Sequence, residues 1–334
     1  MSAFDSPGVF DAAGAFDAAG AFDAAGAFDA AGAFDAAGVV VLDGGLATAL
    51  EARGHDLSDD LWSARLLLDE PAEIEAVHRA FFAAGAVVAT TASYQASFDG
   101  FTSRGLSRAE SVGLLRRSVR LAQAARDEVA ADGTRRWVAA SVGPYGATLA
   151  DGSEYRGRYG LTVAELTDWH RPRLEVLAEA GPDLLALETL PDADEAEALT
   201  AAIAGLGIPA WLSYTIAGDR TRAGQPLAEA FAVAADVPEV VAVGVNCCTL
   251  ADVEPAIAIA RAATGKPVIV YPNNGQEWDA RRRAWVGEAQ LSAGLPTRWA
   301  AAGARMIGGC CRVLPDGIAA MQAALTSDVP SDLH

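Results

Sequence analysis

The sequence predicts an α/β protein, a (β/α)8 TIM barrel, on three observations. Eight short apolar runs of strand length alternate with helical patterns from Val39 onward. The acidic residues and both cysteine pairs fall directly after such runs, where a barrel carries its active site. The chain has 334 residues, and removing 38 N-terminal ones leaves 296, enough for one barrel with extended loops. An open doubly wound sheet is the alternative, but its phosphate fingerprint is missing, because Asp43-Gly44-Gly45 does not begin a G-x-G-x-x-G sequence.

The first run, Val39 to Leu42, reads as a buried strand ending at Asp43 and two glycines, with a helix expected over residues 46–53. Asp69-Glu70-Pro71 opens the next helix, to about Ala84: aspartate can cap, and proline fits the first turn. Residues 86–91 form the second strand, with Ser93-Tyr94-Gln95 beyond it. Ser107 caps a long helix to about Ala130, and residues 137–141 form the third strand. Thr162 starts a helix, and residues 183–187 form a fourth strand ending in Glu188-Thr189. A helix from Asp192 to about Ala204 leads to a fifth strand, 210–214. A short helix, 226–235, precedes the sixth strand, 240–245. A helix over 253–263 precedes the seventh, 267–271. A helix at 297–302, an eighth strand at 305–307 and a helix at 316–325 close the chain. The polar loop from Asp151 to Gly157 is long enough to be costly unless it serves as a lid or binding surface.

Residues 10–37 repeat Phe-Asp-Ala-Ala-Gly-Ala. A six-residue step turns about 600° on an α-helix, so successive phenylalanines share no face. Recurring glycine and aspartate make a poor strand. Residues 1–38 are therefore expected to be a low-complexity, disordered tail, with weak docking as the alternative, and 39–334 the barrel domain. Net charge is −19, which disfavours nucleic acid and anionic lipid as partners. No run of roughly 18 apolar residues suggests a membrane span, and no N-terminal segment reads as a signal peptide. Four cysteines in this length suit a reducing compartment, so a cytoplasmic protein is expected.

Those four cysteines are two adjacent pairs, Cys247-Cys248 and Gly308-Gly309-Cys310-Cys311-Arg312. In a barrel, the ends of strands six and eight are separated only by strand seven. Three or four thiolates can then reach one soft ion, with zinc the first choice. The bland alternative is four small apolar core residues. Strand alternation forbids Cys247 and Cys248 both pointing inward while the strand persists, whereas the glycines free Cys310 and Cys311 from that limit. Asp43 and Glu188 admit three readings: a glycosidase-like pair, loop braces, or acceptors for an ammonium or sulfonium cation. None of the four histidines, His55, His78, His170 and His334, follows a strand, so all are expected to be structural or solvent-facing.

From about Val39 to Ala320 the chain resembles the homocysteine S-methyltransferases, zinc-dependent barrel enzymes. The resembling segments are 42–45, 90–97, 141–147, 152–157, 187–189, 244–247, 271–273 and Gly308-Gly309-Cys310-Cys311-Arg312, the last highly specific. Gly143-Pro144-Tyr145-Gly146 and Glu154-Tyr155-Arg156-Gly157 resemble the S-methylmethionine-using branch more than the betaine-using one. The resemblance implies one Zn2+ per chain held by Cys247, Cys310 and Cys311, which also carry catalysis, and not by Cys248. It implies that Asp43 and Glu188 bind the amino-acid portion of homocysteine, and that Tyr94, Asn246 and Asn273 contact substrate. The expected reaction is methyl transfer from a sulfonium donor, S-methylmethionine or S-adenosylmethionine, to homocysteine, whose zinc-held thiolate attacks the methyl carbon in line. Betaine as donor, selenohomocysteine as acceptor, and a non-enzymatic four-cysteine zinc protein are the alternatives. The repeat has no counterpart in the family.

Overall fold

The structure, a computed structural model, describes residues 39–57, 63–279 and 284–327; the repeat and His334 lie outside them. Eight parallel strands form one sheet: β1 (Val40–Val41), β2 (Val88–Thr90), β3 (Trp137–Val142), β4 (Leu184–Leu190), β5 (Ala210–Tyr214), β6 (Val240–Asn246), β7 (Val268–Tyr271) and β8 (Ala304–Ile307). Each is bonded to its sequence neighbour from β2 to β8, and β8 pairs with β1 through Val40↔Met306 and Val41↔Ile307. The ring closes where Leu42 bridges Val88, with Val87 N–H donating to the Val41 carbonyl (2.8 Å) and Asp43 N–H to that of Val88 (3.0 Å). This is the expected (β/α)8 barrel.

The two-residue period of the strands divides the core. Val40, Leu42, Val88, Trp137, Ala139, Leu184, Ala186, Trp211, Ile269, Tyr271 and Met306 pack together inside the barrel. The alternate residues, including Val138, Ala140, Leu185, Leu187, Leu212, Val243, Val245 and Val270, pack outward with the helices. Trp211 is wholly buried, and truncating such a ring costs about 3–5 kcal/mol.

The helices are α1 (Leu46–Ala52), α2 (Ser63–Asp69), α3 (Pro71–Ala83), α4 (Phe98–Thr102), α5 (Arg108–Val129), α6 (Val163–Glu179), α7 (Ala193–Ile203), α8 (Leu227–Ala232), α9 (Leu250–Thr264), α10 (Gly294–Ala302) and α11 (Pro315–Ser327). Ser107, Thr162 and Asp192 cap their helices as expected, whereas the helix at Pro71 has Glu70 at its N-cap with no side-chain bond, Asp69 being the last residue of the preceding helix. Ser107 with Glu110, and Thr162 with Glu165, close reciprocal capping boxes on α5 and α6. The short α2 and α4, and the antiparallel pairs 216–217 with 220–221 and 277–279 with 284–286, carry too little periodicity to be foreseen. Strand β4 runs three residues past the expected Leu187. Its register with β5 shifts between Leu187 and Leu190, and Thr189 sits at φ 60°.

Candidate active site

The C-terminal ends of the strands surround a half-open cleft lined among others by Asp43, Thr90, Tyr94, Ser141, Glu154, Tyr155, Glu188, Asn246, Cys247, Tyr271, Cys310 and Cys311. The cysteine end depends on close backbone approach. The chain after β8 passes the turn after β1 so tightly that a Cβ on Gly308 would lie 2.6 Å from Leu42 Cβ, and one on Gly45 would lie 2.6 Å from the Cys310 carbonyl oxygen. Gly309 N–H donates to the Asp43 carbonyl (3.1 Å) and Gly45 N–H to that of Val313 (2.9 Å), locking the two glycine pairs together. Cys310 N–H reaches the Pro272 carbonyl (2.8 Å), and Cys311 N–H donates to Asn273 Oδ1 (3.1 Å). Cys247 follows β6 at φ 46°, which turns its side chain into the cleft. Cys248 packs in the core between sheet and helices. The two cysteines do not both face the cleft, but strand alternation is not the cause: with Val243 and Val245 outward, parity would put Cys247 outward as well, and its left-handed backbone just past the strand end reverses this.

The sulfurs of Cys247, Cys310 and Cys311 all lie within 4.8 Å of one another, and Cys248 is outside the set. Cys247 and Cys311 are 3.8 Å apart. Cys247 and Cys310 are in disulfide contact, with Cα atoms 5.6 Å apart. A sulfur cannot be half of a disulfide and a thiolate ligand at once, so pairing and metal binding are mutually exclusive states of these atoms. Three convergent sulfurs suit a soft divalent ion. A closed four-cysteine site is not formed. Arg312 donates through Nε to Gln276 Oε1 (3.1 Å) and through its backbone N–H to Thr48 Oγ1 (3.0 Å), bracing the cysteine turn.

The carboxylates sit on the same rim. Asp43 is 3% exposed; its Oδ2 accepts the Thr90 backbone N–H (2.8 Å) and its Oδ1 the Thr90 hydroxyl (3.0 Å). Burial pushes its carboxyl well up, against the lowering effect of these bonds. Glu188 points inward with Leu184 and Ala186, four and two residues earlier on the strand. It accepts the Ser141 hydroxyl and bonds the Tyr271 phenol, and burial lifts its carboxyl to about 7. Tyr271 also accepts Trp211 Nε1–H (2.9 Å) and meets Ser213 Oγ (2.6 Å).

Asn246 lines the cleft, but its amide is committed within the protein. Its Oδ1 accepts from Thr189 N–H (2.8 Å) and Ser213 Oγ (2.9 Å), and its Nδ2 donates to Thr189 Oγ1 (2.7 Å). That clamp holds Thr189 in its left-handed conformation, and Thr189 in turn bonds the Tyr94 phenol. Asn273 does not line the cleft; its side chain supports Cys311 from behind. Both asparagines thus shape the site and do not present a free amide to a ligand.

The polar loop after β3 covers the cleft, with Glu154 and Tyr155 lining it. Its base rests on a buried network. Glu195 accepts from Tyr145 N–H (2.5 Å), from the Tyr159 hydroxyl (3.2 Å) and from His170 Nε2 (2.9 Å), while Arg173 bonds His170 Nδ1 (2.8 Å) and the Gly143 carbonyl. His170 is structural, as expected. His78 is wholly buried with neither ring nitrogen bonded, and His55 pairs with Glu73. No lysine, arginine or histidine is among the described residues that line the cleft. Sequence reasoning did not single out Ser141 or Tyr271 as functional, though each has inward strand parity (Trp137, Ala139, Ser141; Ile269, Tyr271) that could have found them.

A parallel barrel with a three-sulfur metal site and buried carboxylates at its C-terminal rim defines a metal-assisted barrel enzyme. The family model described as homocysteine S-methyltransferase matches residues 40–325. The homocysteine S-methyltransferase of Escherichia coli K12 is 47% identical over 294 residues, spanning 85% of this chain and 94% of that protein. The metallated crystal form of the Escherichia coli homocysteine methyltransferase MmuM superposes with a TM-score of 0.78 at 44% identity, over 85% of this chain and 96% of that one. Its oxidized form does so equally, with a TM-score of 0.78 at 45% identity over 86% and 96%. The chain belongs to the homocysteine S-methyltransferase family and is an enzyme of it. No helix among the described residues is long and apolar enough to cross a membrane.

Proposed function

We propose that the protein transfers a methyl group from an amino-acid sulfonium, S-methylmethionine in preference to S-adenosylmethionine or betaine, to homocysteine, giving methionine, with one zinc ion per chain. The observation that carries this reading is the convergence of Cys247, Cys310 and Cys311 on one point of a cleft whose charged side chains, among the described lining residues, are all acidic. When bound, zinc supplies the Lewis acidity that keeps an acceptor thiol as thiolate near neutral pH, against an ordinary thiol value of about 8.5.

The rest is the work of the chain. Cys247, Cys310 and Cys311 hold the ion. Asp43 and Glu188 receive the ammonium of homocysteine: each is a carboxyl whose ionisation is disfavoured by burial, and a cation brought there favours its ionised form. Thr90, Ser141 and Tyr271 fix the two carboxylates so that the acceptor sulfur points at the donor methyl. Tyr94 lines the same space, supported by Thr189 and Asn246. The group displaced from the methyl carbon is a neutral thioether, so it needs no proton, and a cleft without a histidine among its described lining residues suits that chemistry. Thiolate ligands that must stay reduced suit the cytoplasm. The partners are small molecules.

The test is a methyl-transfer assay with zinc quantified in the same sample. Homocysteine is the acceptor, and S-methylmethionine, S-adenosylmethionine and betaine are compared as donors, with selenohomocysteine as a second acceptor. Turnover proportional to zinc and fastest with S-methylmethionine is expected. Turnover that is independent of zinc, or fastest with betaine, would overturn the reading.

A further inference from the structure

We propose that Glu154 binds the α-ammonium group of the methyl donor and so makes the enzyme select sulfonium donors that are amino acids. This rests on the sulfonium reading above and adds the residue that reads the donor. Glu154 belongs to the loop after β3, a different element from the strand ends that carry Asp43 and Glu188. It lines the cleft, yet its Oε2 is shut off from solvent and has no hydrogen-bond partner in the protein. Such a carboxylate oxygen is costly to leave unmatched. Neighbouring groups that could have matched it are used elsewhere: Arg156 Nη2 donates to Ser153 Oγ (2.6 Å), and Ser153 N–H to Asp151 Oδ1 (2.9 Å). The position of Glu154 is set, because Gly146 packs on its backbone so closely that a Cβ there would lie 2.7 Å from Glu154 N.

Glu154 lines the same cleft as Tyr94, Tyr155 and Cys311, so it shares the space beside the sulfur cluster. Burial and nearby Asp151 push its carboxyl up, as expected of an anion without its cation. No basic side chain is among the described lining residues, and Arg222, whose charge acts on Tyr155, makes no bond to Glu154 Oε2, which leaves that oxygen to a ligand cation. A sulfonium amino acid offers two. In the transfer step the donor's C–S bond breaks, its electron pair stays on the departing sulfur, and the sulfonium charge disappears. A carboxylate set against that sulfur would bind the ground state more tightly than the transition state and slow the chemistry. The α-ammonium keeps its charge throughout, so a carboxylate bound to it improves donor capture without penalty to turnover.

The experiment uses the full-length, zinc-loaded enzyme at saturating homocysteine with two donors: S-methylmethionine and its desamino counterpart, (3-carboxypropyl)dimethylsulfonium. Wild type, Glu154→Gln and Glu154→Asp are compared. Glu154→Gln is expected to raise KM for S-methylmethionine about 10- to 100-fold, the usual effect of losing a charged hydrogen bond, with kcat within twofold. KM for the desamino donor, KM for homocysteine and zinc content should stay at wild-type values. Glu154→Asp, which keeps the charge, should recover part of the preference for the amino-acid donor. Equal effects on both donors, or a rise in kcat together with KM, would overturn the assignment, the latter by placing Glu154 at the sulfonium. A wild type that uses both sulfoniums while Glu154→Gln changes neither overturns this assignment alone. A wild type that uses neither overturns the donor reading and this assignment with it.

Discussion

Replacing Glu188 with glutamine separates a ligand-binding carboxylate from a brace, because the two roles predict opposite changes in stability. Glu188 is buried, and burial raises its carboxyl from 4.5 to about 7. The unfolded chain therefore releases this proton near pH 4.5 and the folded protein only near 7. Between those values the native state binds more protons, so stability falls as pH rises through the window and stays low above it. The full difference corresponds to roughly 3 kcal/mol, and about 2 kcal/mol of it develops between pH 5.5 and 8. Glutamine keeps the shape and can still accept the Ser141 hydroxyl, but it does not ionise. In homocysteine-free enzyme, Glu188→Gln should thus be more stable than wild type at pH 8, with an advantage that shrinks by about 2 kcal/mol at pH 5.5. The same variant should lose about 10- to 100-fold in homocysteine affinity while keeping its zinc, because the ammonium has lost a charged acceptor. Urea unfolding at the two pH values, with homocysteine titration beside it, measures both. A variant less stable than wild type at pH 8, with homocysteine affinity intact, would refute the reasoning and make Glu188 a structural brace.

Cys247→Ala, Cys310→Ala and Cys311→Ala should each lose most zinc and all activity, whereas Cys248→Ala, altering only a core position, should keep both; metal analysis beside the activity assay checks this. Asp43→Asn should weaken homocysteine binding by about 10- to 100-fold at full zinc content, read by the same titration. His78 is buried without a partner, and burial lowers its pKa from 6.5 to about 4, so its burial destabilises the fold as pH falls from 6.5 towards 4. His78→Leu should raise stability by about 1–2 kcal/mol more at pH 5 than at pH 7.5, measured by urea unfolding. Deleting residues 1–37 should leave turnover and melting temperature unchanged; a drop of more than a few degrees would show that the repeat packs on the barrel.

Much of the site was legible because strand parity and strand ends are sequence properties. Once residues 183–187 read as a strand of a barrel, Glu188 fell at the rim, and alternation warned that Cys247 and Cys248 would not both face the cleft; which of them does is decided by the left-handed backbone of Cys247, which the sequence does not show. What was not legible depends on contacts between elements far apart in sequence. Nothing near Asn246 shows that its amide clamps Thr189, 57 residues earlier, and nothing near Asn273 shows that it supports Cys311. The loop with Glu154 could be read as a working surface from its length and polarity, but the unmatched oxygen emerges only when the packing against Gly146 is known. The short helices α2 and α4 escaped because one or two turns give too few residues for a period to register.

The three acidic side chains among the described lining residues share one physical condition, and it supports the proposed preference for a cationic donor. Burial raises the carboxyls of Asp43, Glu154 and Glu188 alike, and the described lining holds no basic side chain to offset them. A protein that needed these groups only as struts would gain stability by making them neutral. Their retention as ionisable groups makes sense if the positive charge arrives with the ligands. Homocysteine brings one ammonium; an amino-acid sulfonium brings an ammonium and a sulfonium. Three thiolates around a divalent ion leave that centre net negative as well, which favours approach of a cationic donor over a neutral or anionic one. Charge at the metal and charge at the walls therefore select in the same direction. On the proposed sulfonium chemistry, the charge that helps bring the donor in vanishes as the methyl group moves, leaving a neutral thioether that an acidic cleft would hold less tightly.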